Sequence, residues 1–184
     1  MTTALQREDT TTNEYRQAAV RWARRALQPG AAVILGIETT TPEAGAMVEI
    51  AIVETDTTTI RMNSLVRPWA PISPVTQRRH HLTDDMVAGA PTFRQILTDL
   101  ITITAGRVIL AYNSGSAFGT VIREAQRAGL DPEHLEDSGN WRCIAQARSN
   151  WLGHPDHYLP ISPTPRALGQ CHAALNVLRD IAAD

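Results

Sequence analysis

The stretch AAVILGIETTTPEAGAMVEIAIVETD, residues 31–56, decides the fold. Ala31 to Ile37 is a short apolar run without alternation, the pattern of a central strand buried on both faces. A Thr/Pro/Gly loop follows, Met47 to Glu54 reads as a second strand, Thr55 to Thr58 as a turn and Thr59 to Val66 as a third strand. The stretch therefore opens an antiparallel meander. Ahead of it, Ala19, Trp22, Ala23, Ala26 and Leu27 recur at helical spacing, with Arg21, Arg24 and Arg25 on the remaining surface, and Pro29-Gly30 closes the helix. Residues 1–12 are Thr-rich and aperiodic, so they are expected to form an unstructured lead-in to a single domain over 13–184.

Beyond the meander, Pro68, Pro71 and Pro74 break the pattern, and helices are expected over Thr83 to Val87 and Thr92 to Thr104. RVILAY (107–112) reads as a fourth strand, followed by Asn113-Ser114-Gly115 and a helix from Phe118 to Ala128. Trp141 to Leu152 and Arg166 to Ala182 read as helices, the last with Leu168, Cys171, Leu175 and Leu178 as its buried stripe. There is no internal repeat. This order predicts an α/β fold: a mixed sheet, made of a three-stranded antiparallel meander plus parallel strands, flanked by helices in the ribonuclease H-like manner.

With 184 residues the chain buries a core without disulfides or structural metal. Lys+Arg 17 against Asp+Glu 19 leaves no general basic excess, so any nucleic-acid contact must be local. Cys143 and Cys171 form neither a CxxC pair nor a metal-ligand pattern and read as reduced core thiols of a cytoplasmic protein. The polar N-terminus has no apolar run long enough for a signal peptide or membrane span, and no membrane partner is expected.

The segments ILGIETTTPEAGAMVEIAIVETD (34–56), LVRPWAPISPVTQRRHHLTDDMVAGAPTF (65–93), VILAYNSGSAFGTVIREAQRAGL (108–130) and PRALGQCHAAL (165–175) resemble, in order, the successive motifs of the DEDDh 3′-to-5′ exonucleases, the family that includes polymerase proofreading subunits. The resemblance spans residues 31–182. It implies a two-metal phosphodiesterase, in which carboxylates hold two divalent ions around the scissile phosphate and a histidine serves as general base. The family's first strand reads Asp-x-Glu; here it is Gly36-Ile37-Glu38, so one acid of the pair survives. Ala117 stands at the third acid, Pro165 at the base and Gln170 at the fourth acid. A lone Glu38 cannot neutralise two divalent cations, and Gly36, Ala117 and Pro165 offer no side-chain ligand.

The resemblance therefore implies a catalytically defective exonuclease-like protein that binds nucleic-acid 3′ ends, single strands or a protein partner. No cofactor is expected, and Mg or Mn only with residual activity. The rival readings are an active exonuclease rebuilt around Glu38 with Glu43, Asp137 or Asp156, and a pure protein-interaction subunit. In the family, Thr39, Thr40 and Asn113 occupy motif positions near the nucleotide; His80, with His81 at the family's His-Gly pair, reads as a capping or surface residue before a nucleotide contact, and Glu49 is expected to make structural hydrogen bonds. Arg21, Arg24 and Arg25 with Arg78 and Arg79 read as solvated surface before phosphate stripe. Trp69 and Trp151 serve equally as packing or as stacking platforms. His154, Asp156 and His157 read as loop residues. Because the elements on both sides of each altered position stay legible, the scaffold is expected to be intact, with only its ligands absent.

Overall fold

The computed structural model describes residues 2–161 and 164–184. Five strands form one mixed sheet in the order β3-β2-β1-β4-β5. They are β1 (Ala32–Thr39), β2 (Met47–Glu54), β3 (Ile60–Leu65), β4 (Val108–Ala111) and β5 (Trp141–Cys143). β1 is central, antiparallel to β2 with Leu35 opposite Ile52 and Glu38 opposite Glu49, and parallel to β4 with Val33 opposite Ile109. β2 and β3 complete the meander, and β5 runs parallel to β4.

The unbroken apolar run of β1 follows from cover on both faces. On one face, Ile34, Ala51 and Val53 pack with α1 (Thr2–Ala26), α6 (Ile144–Trp151) and α7 (Ala167–Ala183). On the other, Val33, Leu35, Ile50 and Ile52 meet α4 (Phe93–Thr104) and α5 (Ser114–Ala128). Between β3 and α4 lie α2 (Pro74–His80) and α3 (Asp84–Val87), packed through Ile72, Leu82 and Val87 against Val48. Among the described residues no helix is long and apolar enough to cross a membrane.

Four local expectations change. The backbone is helical from Thr2, not from about residue 13: the helix anchored by Ala19, Val20 and Ala23 propagates back through good helix formers at residues 4–8, each adding one hydrogen bond per residue fixed. Met1 lies outside the described residues. Pro74 begins a helix instead of breaking the pattern, because at the first helical position it lacks only a donor that would be unused, and Ser73 caps the end by accepting from the Thr76 N–H. Trp141–Cys143 is a strand, since Trp141 is buried edge-on against Phe118 at 5.7 Å and its indole donates to the Leu135 carbonyl. Finally, α5 begins at Ser114 because Asn113 caps it, which brings Ala117 into the first turns.

α7 packs tightly onto β1 at Gly36. A Cβ on Gly36 would lie 2.4 Å from the Ala167 carbonyl oxygen and 3.1 Å from Cys171 Sγ. Cys171 is fully buried, and burial pushes its thiol up to about 12. Gly36→Ala should therefore cost about 1–3 kcal/mol, the range for overpacking a core. Gly89→Ala, where the added carbon meets open space, should stay within about 0.5 kcal/mol. Urea midpoints at unchanged m-value measure both, and equal costs would refute the close-packing account.

Candidate functional site

The C-terminal ends of the parallel strands β1 and β4 open into a cleft of about 460 Å³, where open α/β sheets commonly place their ligands. β1 contributes Leu35, Ile37, Glu38 and Thr39; Tyr112 and Asn113 follow β4; Ser116, Ala117 and Thr120 come from α5. Arg79 enters from α2, Gln170 and Ala174 from α7, and Tyr158, Ile161, Thr164 and Pro165 from the connection between α6 and α7. Gly36, Glu38, Ala117, Pro165 and Gln170 thus converge as their motif spacing implies, with Gly36 sealed beneath α7.

Glu38 is 1% exposed, so its carboxylate must be paired. Arg79 Nη2 donates to Oε2 at 2.8 Å, and the Gln170 amide donates to Oε1. Burial holds this carboxyl above the usual glutamate range, and neighbouring Glu49 pushes the same way, against the pull of Arg79 and Gln170. Glu49, 2% exposed, is bound by both Nε and Nη2 of Arg166 and accepts from the Ala167 N–H at 2.8 Å. It supplies the N-terminal cap that α7 lacks locally. Glu49 is structural, as the sequence suggests.

These donors do not fit a two-metal centre. Gly36, Ala117 and Pro165 present no ligand, Gln170 turns its amide nitrogen to Glu38, and a guanidinium occupies one side of Glu38, the one carboxylate among the described cleft residues. No described group of three or more His, Cys, Asp or Glu could hold a metal ion. Glu43, Asp137 and Asp156 are exposed and do not line the cleft. The scaffold is also not intact at Gly36: a restored aspartate would have its Cβ against the Ala167 carbonyl.

The residues expected near a nucleotide divide. Thr39 and Asn113 line the cleft. Thr40 does not; it is 1% exposed, accepts from the Ala46 N–H through Oγ1, and receives Ser73 N–H and Thr76 hydroxyl on its carbonyl. His80 does not either. It is fully buried at the end of α2, where Nδ1 accepts from the Leu82 N–H and Nε2 has no hydrogen-bond partner among the described residues. Burial holds the imidazole below the usual histidine range, Arg79 and Arg166 lower it further, and the Thr39 carbonyl and Glu49 oppose. His81 turns outward as the left-handed C-cap, φ 59°.

Trp69 is no open stacking platform: the Arg127 guanidinium covers its ring at 3.9 Å and its indole donates to Glu124. Trp151 packs into the core around α1 and α7 and donates to Asp184. His154 and His157 meet edge-on, 6.0 Å apart, outside the cleft. Tyr158 goes unnoticed in the sequence, a lone tyrosine in a His/Pro-rich loop. It is 60% exposed, lines the cleft and stands edge-on to Tyr112 at 6.1 Å. Its loop is tethered by Tyr112, which donates to the Leu159 carbonyl, and by Arg148, which donates to the Tyr112 hydroxyl and the Pro160 carbonyl, each at 3.0 Å.

A helix-covered mixed sheet with a cleft at the ends of β1 and β4 defines a ribonuclease H-like exonuclease fold. The family model described as exonuclease, of the RNase T type, matches residues 33–178, and the chain belongs to the DEDDh exonuclease family. It is similar to Exonuclease X, solved with 5′-overhanging duplex DNA: 27% identity over 83% of this chain and 91% of that one, TM-score 0.56. It also shares its fold with the nuclease domain of 3'hExo, a DEDDh member bound to rAMP (18% identity, 81% and 92% covered, TM-score 0.54). E. coli Exonuclease I, solved with a dT13 oligonucleotide, matches over 81% of this chain but only 40% of its own (11% identity, TM-score 0.66). No curated protein sequence matches significantly.

Two stability predictions follow from these ion pairs and the buried imidazole. Arg166 is 45% exposed whereas Glu49 is 2% exposed, so the partners are unequal. Arg166→Met strands a buried carboxylate and should cost about 2–3 kcal/mol. Glu49→Gln keeps an acceptor for Ala167 and frees a guanidinium that reaches water, so it should cost clearly less; the reverse order in thermal melts would refute the assignment. For His80, the folded value lies below the unfolded value of 6.5. Its stability contribution is present above that pH and is lost as pH falls through the folded value. The Tm gap between wild type and His80→Asn, whose amide oxygen can still accept from Leu82, should narrow between about pH 7.5 and 5.5. A gap independent of pH would show that His80 is not buried neutral.

Proposed function

We propose that this chain is a catalytically silent member of the DEDDh exonuclease family that retains its cleft as a binding site for a single-stranded nucleic-acid 3′ end. The observation that carries the reading is the occupation of Glu38, the surviving family acid, by Arg79 and Gln170. A carboxylate neutralised by a fixed guanidinium is a poor ligand for a divalent ion, because the ion would have to displace the cation or sit against it. Binding is supported by what remains: an open cleft, the exposed ring of Tyr158 as a base-stacking surface, and polar Thr39, Asn113 and Ser116 at its walls. Two similar proteins were solved on nucleic acids, Exonuclease X on duplex DNA with a 5′ overhang and a 3′-exonuclease that recognises the 3′ end of a histone mRNA stem-loop.

An active site rebuilt on Glu43, Asp137 or Asp156 is not favoured, since none of them reaches the cleft. Nothing in the cleft favours a purely protein partner. The unpaired thiols Cys143 and Cys171 agree with a reducing compartment, and we place the protein in the cytoplasm. With Mg²⁺ or Mn²⁺, wild type should release no more mononucleotide from a 3′-labelled single strand than Glu38→Ala does. Robust release that Glu38→Ala abolishes would overturn the proposal.

A further inference from the structure

We infer that Arg79 takes over the task of the missing metal ions and holds a nucleotide phosphate in the cleft, so that nucleic acid binds without any divalent cation. The inference rests on the reading of the cleft as a nucleic-acid site and adds the group that recognises the phosphate. Arg79 lines the cleft and is half-exposed there, while the carboxylate it binds is buried. Among the described residues the one hydrogen bond of its side chain is from Nη2 to Glu38, which leaves Nε and Nη1 without partners there. A guanidinium carries five donors in a rigid planar fork suited to phosphate oxygens.

The fork is also fixed in place. Glu38 pins one end, and α2 is fastened to the chain just beyond β1: the Ser73 N–H donates to the Thr40 carbonyl at 2.9 Å and the Thr76 hydroxyl to the same carbonyl at 2.7 Å. A preorganised donor loses less side-chain freedom on binding than a free surface arginine. Charge favours the same reading. In the family the clustered acids repel a phosphate until metal ions intervene; here Arg166 matches Glu49 and Arg79 matches Glu38, so an arriving anion meets no unopposed carboxylate.

The arrangement makes Glu38 a competitor of the phosphate for Arg79. In a metal-dependent site, Glu38→Gln would remove a ligand and weaken binding. Here it keeps a side-chain oxygen that can still position Arg79 Nη2 but removes the negative charge that competes with the phosphate, and it should strengthen binding.

The test measures fluorescence anisotropy of a 5′-fluorescein-labelled single-stranded oligonucleotide with the full chain, in EDTA and in Mg²⁺. The affinity should be the same within about twofold in the two buffers. Arg79→Gln should weaken binding about tenfold or more, the scale of a lost charge-assisted hydrogen bond. Glu38→Gln should tighten it several-fold. Arg78→Gln, the exposed neighbour with the same charge change, should match wild type apart from a small electrostatic loss. Since Arg79→Gln leaves Glu38 buried without its cation, the double variant Arg79→Gln/Glu38→Gln, with no orphaned charge, must show the same loss. If the oligonucleotide binds but needs Mg²⁺, or if Arg78→Gln and Arg79→Gln weaken it equally, Arg79 is not the phosphate anchor and the cleft reading survives without it. If no oligonucleotide binds in either buffer, both the inference and the cleft reading fall.

Discussion

The approach of α7 to β1 over Gly36 is the constraint on which the site depends. The Ala167 carbonyl oxygen occupies the place where a side chain on residue 36 would begin. No acid can stand there unless the helix withdraws. At this distance Gln170, one turn further along α7, reaches Glu38 on the same strand, and the first N–H of α7 reaches Glu49 on the adjacent one. The register of β1 and β2 places Glu38 directly opposite Glu49. Two buried carboxylates, one helix end and one amide are thereby fixed by a single packing contact.

Two adjacent buried carboxylates would normally be costly, through desolvation and mutual repulsion. A catalytic site of this family meets that cost with divalent ions drawn from solution. In this chain it is met from within, by Arg79 on one acid and Arg166 on the other, each reaching in from the solvent side with a long, half-exposed stem. The two solutions differ in kind. Metal ions exchange and engage substrate oxygens directly, whereas arginines are covalently fixed and cannot activate water. Arg79 and Arg166 therefore balance the two buried carboxylates from within the chain.

The strands β1 and β2 and the motif positions were legible in the sequence because burial on both faces and spacing along the chain are local signals. β5 was not, since a three-residue parallel strand has no periodicity and exists only by its pairing with β4. Pro74 was misleading for a definable reason: proline disrupts a helix interior and suits a helix start, and the Ser73 cap decides which. Thr40 and His80 illustrate a different limit. Their motif neighbours face the cleft, but the bulge between Glu38 and Thr39 and the packing of α2 turn these two inward. Pairings such as Glu38 with Arg79, 41 positions apart, and Glu49 with Arg166, 117 apart, leave no mark in a single sequence. Gly36 read as a missing ligand; only the fold shows it as a contact surface.

The cleft stays open although Gly36, Ala117, Pro165 and Gln170 stand at four of the family's motif positions. Besides the α7 contact over Gly36, its walls rest on the end of β4, the Asn113-capped start of α5, and a loop tethered by Tyr112 and Arg148. Small residues at 36 and 117 could have allowed the walls to close. At Gly36 they did, beneath α7; at Ala117 the tethered loop and α5 hold the space open, and Tyr158 stands exposed at its edge. Under the binding reading proposed above, a nucleic-acid end would need shape, a stacking surface and an opposing charge, which the cleft offers through Asn113, Tyr158 and Arg79.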